Sequence, residues 1–260
     1  MNPTTSALYQ KMVQSSKYFY IKNPIIIVTD LSYSVRYGLN LVISRGIGPI
    51  PLDMTKLECK FWMIDKFQVY GGRNGKGNIL PSIIPTFFRC DIKDLIIYNQ
   101  NVSYKNWIFL ASNAVKIDFC NVTVKNEDGS NIATEKLVEA AVNAKEITLA
   151  RNLVITSKTV EELIKLPHFR KLNFFQLYQI PETFDIGAFF VYIKKNKSTN
   201  FHLYFNESIS DEYKNRIDTI IDKILATKKH DYRLPDIYFS GISREKYDKF
   251  CYLRHCQRFT

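Results

Sequence analysis

The chain has 260 residues, 46% of them hydrophobic, and a formal net charge of +11. That length buries a sizeable core, and that apolar content excludes an intrinsically disordered chain. No apolar run approaches a membrane span, and residues 1–17 lack the apolar centre of a signal peptide, so the reading is a cytoplasmic or nuclear protein without membrane contact.

The basic excess sits towards the N-terminus and is spread out. Residues 1–110 hold 13 Lys or Arg against 6 Asp or Glu, a surplus of 7. Nucleic-acid binders show a denser patch, so this distribution speaks against that class while leaving attraction to acidic partners. The five cysteines, Cys59, Cys90, Cys120, Cys251 and Cys256, are odd in number and scattered. They read as free thiols in a reducing compartment.

In chain order, residues 5–20 read as one helix with Leu8, Met12 and Phe19 on a shared face, ending before Pro24. Ile25, Ile26, Ile27 and Val28 form a β-branched run expected as a buried strand at 24–29, and 36–44 reads as another. Alternation of Phe61, Met63, Asp65, Phe67 and Val69 predicts strand structure in 57–70, with Trp62 on the opposite face, to cap the core or contact a partner. The glycine-rich run 71–77 lacks the phosphate-loop pattern. Tyr70 stands where its first glycine belongs, and Gly77 stands where a hydroxyl residue would hold magnesium. A plain loop is the reading there.

From residue 91 a strand pattern recurs: apolar, two residues, apolar, one residue, apolar, two residues, then a small, apolar or Asn position. Ile92, Leu95, Ile97 and Gln100 open it. Ala114, Ile117, Phe119 and Val122 follow, then Ala144, Ile147, Leu149 and Asn152. Phe169, Leu172, Phe174 and Leu177 give the third full copy, and Ser198, Phe201, Leu203 and Asn206 the fourth. Leu234, Ile237, Phe239 and Ile242 make an atypical terminal unit before a closing helix at 245–256. Helical stripes lie between the strands. Ile186, Phe189, Phe190 and Ile193 follow a predicted Asp185 cap, and Tyr213, Ile217, Ile220, Ile221 and Ile224 follow Ser210. Thr159 with Glu162 has capping-box spacing. A strand–helix unit recurring every 20–50 residues is the signature of a solenoid.

The pattern resembles the α/β form of the leucine-rich repeat over roughly residues 90–242. Here Ile, Phe and Ala replace many leucines, and the repeat's asparagine is read only at Asn152 and Asn206. The run from Lys11 through Ser15, Ser16, Lys17, Tyr18 and Phe19 to Tyr20 resembles the last helix of an F-box. Together the two are similar to divergent nematode-type F-box-like proteins, although the F-box's opening Leu-Pro pair and first helices have no counterpart. The resemblance implies an α/β, leucine-rich-repeat-like solenoid: a curved parallel sheet with helices on the convex side and an irregular N-terminal part. It implies an F-box-like helix at 1–22, a strand-rich segment at 23–90 and the solenoid at 91–260. A protein target, a ligase adaptor and a cullin are the implied partners, and Leu8, Met12 and Phe19 the adaptor-facing residues.

Strand alternation supplies the target-binding candidates. The outward positions are Lys116 and Asp118, Glu146 and Thr148, Lys171 and Asn173, then Asn200 and His202. All eight are polar between apolar columns. Nothing in the sequence calls for a cofactor. Cys251, His255 and Cys256 lack the fourth ligand of a structural zinc site, and the histidines carry no catalytic motif. A non-enzymatic protein-binding scaffold is the leading reading. An independent interaction module, a basic nucleic-acid binder and an enzyme at the sheet edge are the alternatives.

Overall fold

The computed structural model describes residues 4–43, 48–53, 56–72 and 77–257. Most of the glycine-rich run, 73–76, lies outside them. The chain forms two compact units, Met1–Ser130 and Asn131–Thr260. Each is α/β with a mostly or wholly parallel sheet, and among the described residues neither contains a closed barrel.

The first unit begins with α1 (Ser6–Ser15) and α2 (Lys17–Lys22) in place of the single expected helix. Ser16 divides them. Its backbone is extended (φ −157°, ψ 127°), its N–H closes α1 on Met12, and its hydroxyl accepts from the Tyr18 N–H to start α2. A serine that caps the second helix cannot also continue the first. The buried face also differs from expectation. Leu8 is 45% exposed, whereas Tyr9 is 4% exposed and packs with Ile25, Ile27 and Trp62. The Tyr9 hydroxyl donates to the Asn23 carbonyl at 2.8 Å and accepts from the Ile25 N–H at 3.3 Å.

The strands that follow are β1 (Ile25–Ser34), β2 (Gly38–Val42), β3 (Ile50–Pro51), β4 (Lys60–Tyr70) and β5 (Phe87–Cys90), with α3 (Leu80–Ile83) before β5. Then come β6 (Asp94–Tyr98), β7 (Asn101–Ser103), α4 (Tyr104–Ala111), β8 (Lys116–Cys120) and β9 (Thr123–Lys125). The sheet order is β3-β2-β1-β4-β6-β8, with β5 also paired to β4. The first three strands are antiparallel, and β1, β4, β6 and β8 are parallel. Trp62, on the opposite face of the strand, is fully buried. Tyr9 lies against it at 6.3 Å between ring centroids, and its indole N–H donates to Asp91 at 2.7 Å. A helix laid over the second face of β4 overrides the period-2 rule there, so Phe61, Trp62 and Met63 are all buried in a row.

Two asparagines stand one position earlier than the pattern placed the repeat's asparagine. Asn99 and Asn121 follow β6 and β8 in left-handed backbone (φ 55° and 54°), which asparagine tolerates. Asn121 donates to Asn99 at 2.7 Å, and Asn99 donates to the Gly71 carbonyl at 2.9 Å. Buried Gln100 accepts from the Ile79 N–H at 2.9 Å and donates to the Gly77 carbonyl at 2.9 Å, holding the approach to α3. A Cβ at Gly71 would collide with the Asn99 carbonyl and the Gln100 amide, so only glycine fits that turn.

The second unit alternates helix and strand: α5 (Thr134–Ala140), β10 (Glu146–Ala150), α6 (Thr159–Lys165), β11 (Phe174–Ile180) and α7 (Ile186–Lys195). It continues with β12 (Asn200–Phe205), α8 (Asp211–Ala226), β13 (Asp236–Tyr238) and α9 (Arg244–Gln257). Its four strands are parallel and in sequence order. Asp185 and Ser210 cap α7 and α8 as expected, accepting from Ala188 and Tyr213. Thr159 does not cap α6. It lies inside the helix, where its hydroxyl accepts from Thr156 and donates to Glu135 at 2.8 Å.

The third repeat strand is displaced from the predicted register. Ile147 pairs with Phe175 and Leu149 with Leu177, and these pair with Phe201 and Leu203. The inner set is therefore Leu172, Phe175, Leu177 and Ile180, all buried. Phe169, expected as a strand anchor, lies in a 3-10 turn (Phe169–Lys171) before the strand.

Candidate functional site

Alternation in β10, β11 and β12 sends Ile147, Leu149, Phe175, Leu177, Phe201 and Leu203 inward. The residues between them form columns on the other face, aligned by strand register. The first is Glu146, Phe174 and Asn200. The second is Thr148, Gln176, His202 and Asp236. The third is Ala150, Tyr178, Tyr204 and Tyr238. Of the sequence-derived candidates, Glu146, Thr148, Asn200 and His202 stand on this face together. Lys171 and Asn173 do not. Lys171 ends the 3-10 turn and Asn173 precedes β11, so Phe174 and Gln176 take the places assigned to them.

The correction makes the face more aromatic. Tyr178 and Tyr204 stack at 4.7 Å with planes 11° apart, and Phe174 lies 4.8 Å from the His202 ring. Gln176 donates to the Tyr178 hydroxyl at 3.0 Å. Tyr178 and Tyr238 remain 37% and 42% exposed. Tyr178 was missed because one extra turn before β11 shifts every later residue by one face.

Helix α9 closes one end of this face. The Arg254 guanidinium meets the Asp236 carboxylate at 2.9 Å, with both side chains about nine-tenths buried. The Tyr204 hydroxyl donates to Asp236 at 3.0 Å, and His202 Nδ1 lies 3.4 Å from the same oxygen. Tyr247 of α9 packs edge-on against Tyr238 at 5.4 Å. Burial and the nearby Asp236 push the Tyr204 phenol up and raise that of Tyr247 to about 12. Both stay protonated at neutral pH and act as donors. Asp236 is thus engaged by an arginine and a tyrosine. The cavity that shares Asn200 and Arg254 with this cluster is also lined by Lys197, His230 and Asp231, and not by His202, Tyr204 or Asp236.

No family model, curated protein or solved structure matches the chain.

The first unit has a face of the same type. Lys66, Asp94 and Lys116 form its first column; Gln68, Ile96 and Asp118 the second; Tyr70, Tyr98 and Cys120 the third. Lys66 and Asp94 pair at 3.4 Å, Tyr70 and Tyr98 meet edge-on at 5.2 Å, and Tyr98 donates to Asp118 at 2.7 Å. Lys116 and Asp118 are thus on the face where the sequence put them. Burial pushes the Asp118 carboxyl up more than the Tyr98 hydrogen bond and Lys116 pull it down. A carboxyl whose folded value exceeds its unfolded one keeps a proton that the unfolded chain releases. Its stabilising contribution is present at acid pH and is lost as pH rises through the folded value. Asp118→Asn keeps an acceptor for Tyr98 and is expected to remove that loss. Melting temperature followed from about pH 3 to pH 7 should fall less in the variant, and parallel curves would contradict the assignment.

Among the described residues, no group of three or more His, Cys, Asp or Glu side chains is placed to hold a metal, and no helix is long and apolar enough to cross a membrane. The described cysteines are free thiols. In the N-terminal helices, Leu8 is exposed while Met12 and Phe19 are half-buried, so of these three only Leu8 offers a largely open side chain.

Proposed function

We propose that the chain is a non-enzymatic, protein-binding scaffold of the leucine-rich-repeat-like solenoid type. An extended target segment lies across the outward columns of β10 to β13. The observation that carries this reading is the partly exposed tyrosine column, Tyr178, Tyr204 and Tyr238, flanked by Gln176 and His202. Tyrosines supply large contact area at low entropic cost, and neighbouring amides and imidazoles supply adaptable hydrogen bonds. The Asp236–Arg254 pair with Tyr204 makes the floor rigid before any target arrives. The strand–helix alternation and in-order parallel pairing of the second unit support the solenoid reading.

The finer reading is a substrate receptor of a ubiquitin ligase in the cytoplasm or nucleus. It rests on the resemblance of the Lys11 to Tyr20 run to an F-box tail and on exposed Leu8 and Ile21 beside it. Removing α1 and α2 would uncover Trp62, so point variants are the cleaner probe. Affinity purification of the wild-type chain should retain a target together with a ligase adaptor and cullin. Leu8→Asp with Ile21→Asp should lose the adaptor and cullin while keeping the target. Gln176→Ala with Tyr178→Ala should do the reverse. Retention of the target by the second variant at wild-type level would refute the face, and absence of adaptor and cullin from the wild-type sample would leave an independent interaction module.

A further inference from the structure

A second surface of the C-terminal unit, separate from the strand face, has an unbalanced charge. A groove of about 610 Å³ runs between α6 and α7, within the usual range of ligand clefts. Lys165, Arg170, Lys195 and Lys197 line it, and no carboxylate is among its described lining residues. Its apolar part includes Ile164, Ala188 and Val191, with Val191 48% exposed. Lys165 is occupied by Glu161 and Glu162 at 2.6 and 2.9 Å, and Lys197 by Asp231 at 3.2 Å. Arg170 and Lys195 have no ion-pair partner among the described residues. Lys195 lies in the last turn of α7, where a cation suits the helix end. That role does not account for Arg170, which reaches the groove from the 3-10 turn before β11.

The groove wall is rigid. The Asn196 side chain donates to the Thr199 hydroxyl at 2.9 Å and to the Tyr192 hydroxyl at 3.2 Å, and accepts from the Ser198 and Thr199 N–H groups at 3.0 Å. The Tyr192 ring stacks on Phe169 at 5.6 Å, so that face of the ring is not free to stack a nucleobase. Two uncommitted cations in one groove with an exposed valine complement a peptide rather than a nucleic acid.

We propose that this groove docks a short acidic peptide segment, with one apolar side chain against Val191 and Ala188 and carboxylates at Arg170 and Lys195. The segment belongs to a protein partner other than the one on the strand face, and the proposal stands whether or not that face binds.

The test is fluorescence polarisation of the full chain against short labelled peptides rich in Glu and Asp, with one Leu placed in turn at each position. At least one register is expected to bind saturably, and to weaken with added salt. Arg170→Glu with Lys195→Glu should weaken it about tenfold or more. Val191→Ser should weaken the Leu-containing peptides and leave a Leu-free acidic peptide unchanged. Lys194→Glu, a matched change in the same last turn that does not line the groove, should leave binding unchanged. All four residues are exposed, so each variant is expected to fold as wild type does, the two reversals in the last turn of α7 lowering the melting temperature by only a few degrees and to a similar extent. Equal binding to the charge-reversed protein, no binding by any register, or an RNA oligomer of equal charge competing at equal affinity would overturn the proposal.

Discussion

Phe169→Ala is expected to lower unfolding free energy by about 3–5 kcal/mol. Phe169 is fully buried although it belongs to a 3-10 turn. Its ring meets Phe175 edge-on at 4.8 Å and Tyr192 in a stack at 5.6 Å, with Phe189 and Phe201 farther out at 6.3 and 6.4 Å. Truncation removes the transfer energy of a phenyl ring and leaves a cavity walled by rings that cannot collapse far. Phe169→Leu keeps part of the volume and should lose roughly half as much. Urea unfolding measures both. A loss below about 1 kcal/mol for alanine would mean that the turn does not anchor the second unit.

Asp236→Ala is expected to cost about 3–5 kcal/mol by a different route, because it leaves the Arg254 guanidinium buried without its counter-charge. The two side chains are 11% and 10% exposed, so solvent screens the pair little. Removing both charges, as Asp236→Leu with Arg254→Met, should recover most of the loss. The double-mutant cycle then isolates the pair from the Tyr204 and His202 contacts. Additive losses would show that Asp236 and Arg254 stabilise the fold independently. The helix α9 has other anchors: Gln257 donates to the Tyr232 carbonyl at 2.6 Å, and Lys246 meets Asp218 and Asp222 of α8 at 2.6 and 2.8 Å. The single variant is therefore expected to loosen α9 rather than release it.

Much of the second unit was legible from periodicity. The stripes of α7 and α8 and their Asp185 and Ser210 caps are local features, set by residues within one turn of each other. The third strand was not, because Phe169-x-x-Leu172-x-Phe174 and Leu172-x-x-Phe175-x-Leu177 satisfy the same pattern in overlapping registers. Only pairing with Ile147 and Phe201 decides between them. Phe174 tolerates the outward side because the His202 ring covers it. Sequence leaves the role of Trp62 open for a related reason. Alternation reports one covered face, and Tyr9, more than fifty residues earlier in the chain, covers the other. The Asp236 cluster was invisible in sequence because its arginine comes from a helix that no repeat pattern predicts to lie against that strand.

The central claim is that a protein target lies on the outward columns of the second unit. A photo-crosslinking phenylalanine analogue placed at Tyr178 tests it most directly, with the same group at exposed Lys223 of α8 as the comparison. The account predicts a crosslinked target from position 178 and none from 223, at unchanged melting temperature. Crosslinking from 223 alone, or from neither position while the target still co-purifies, would contradict it.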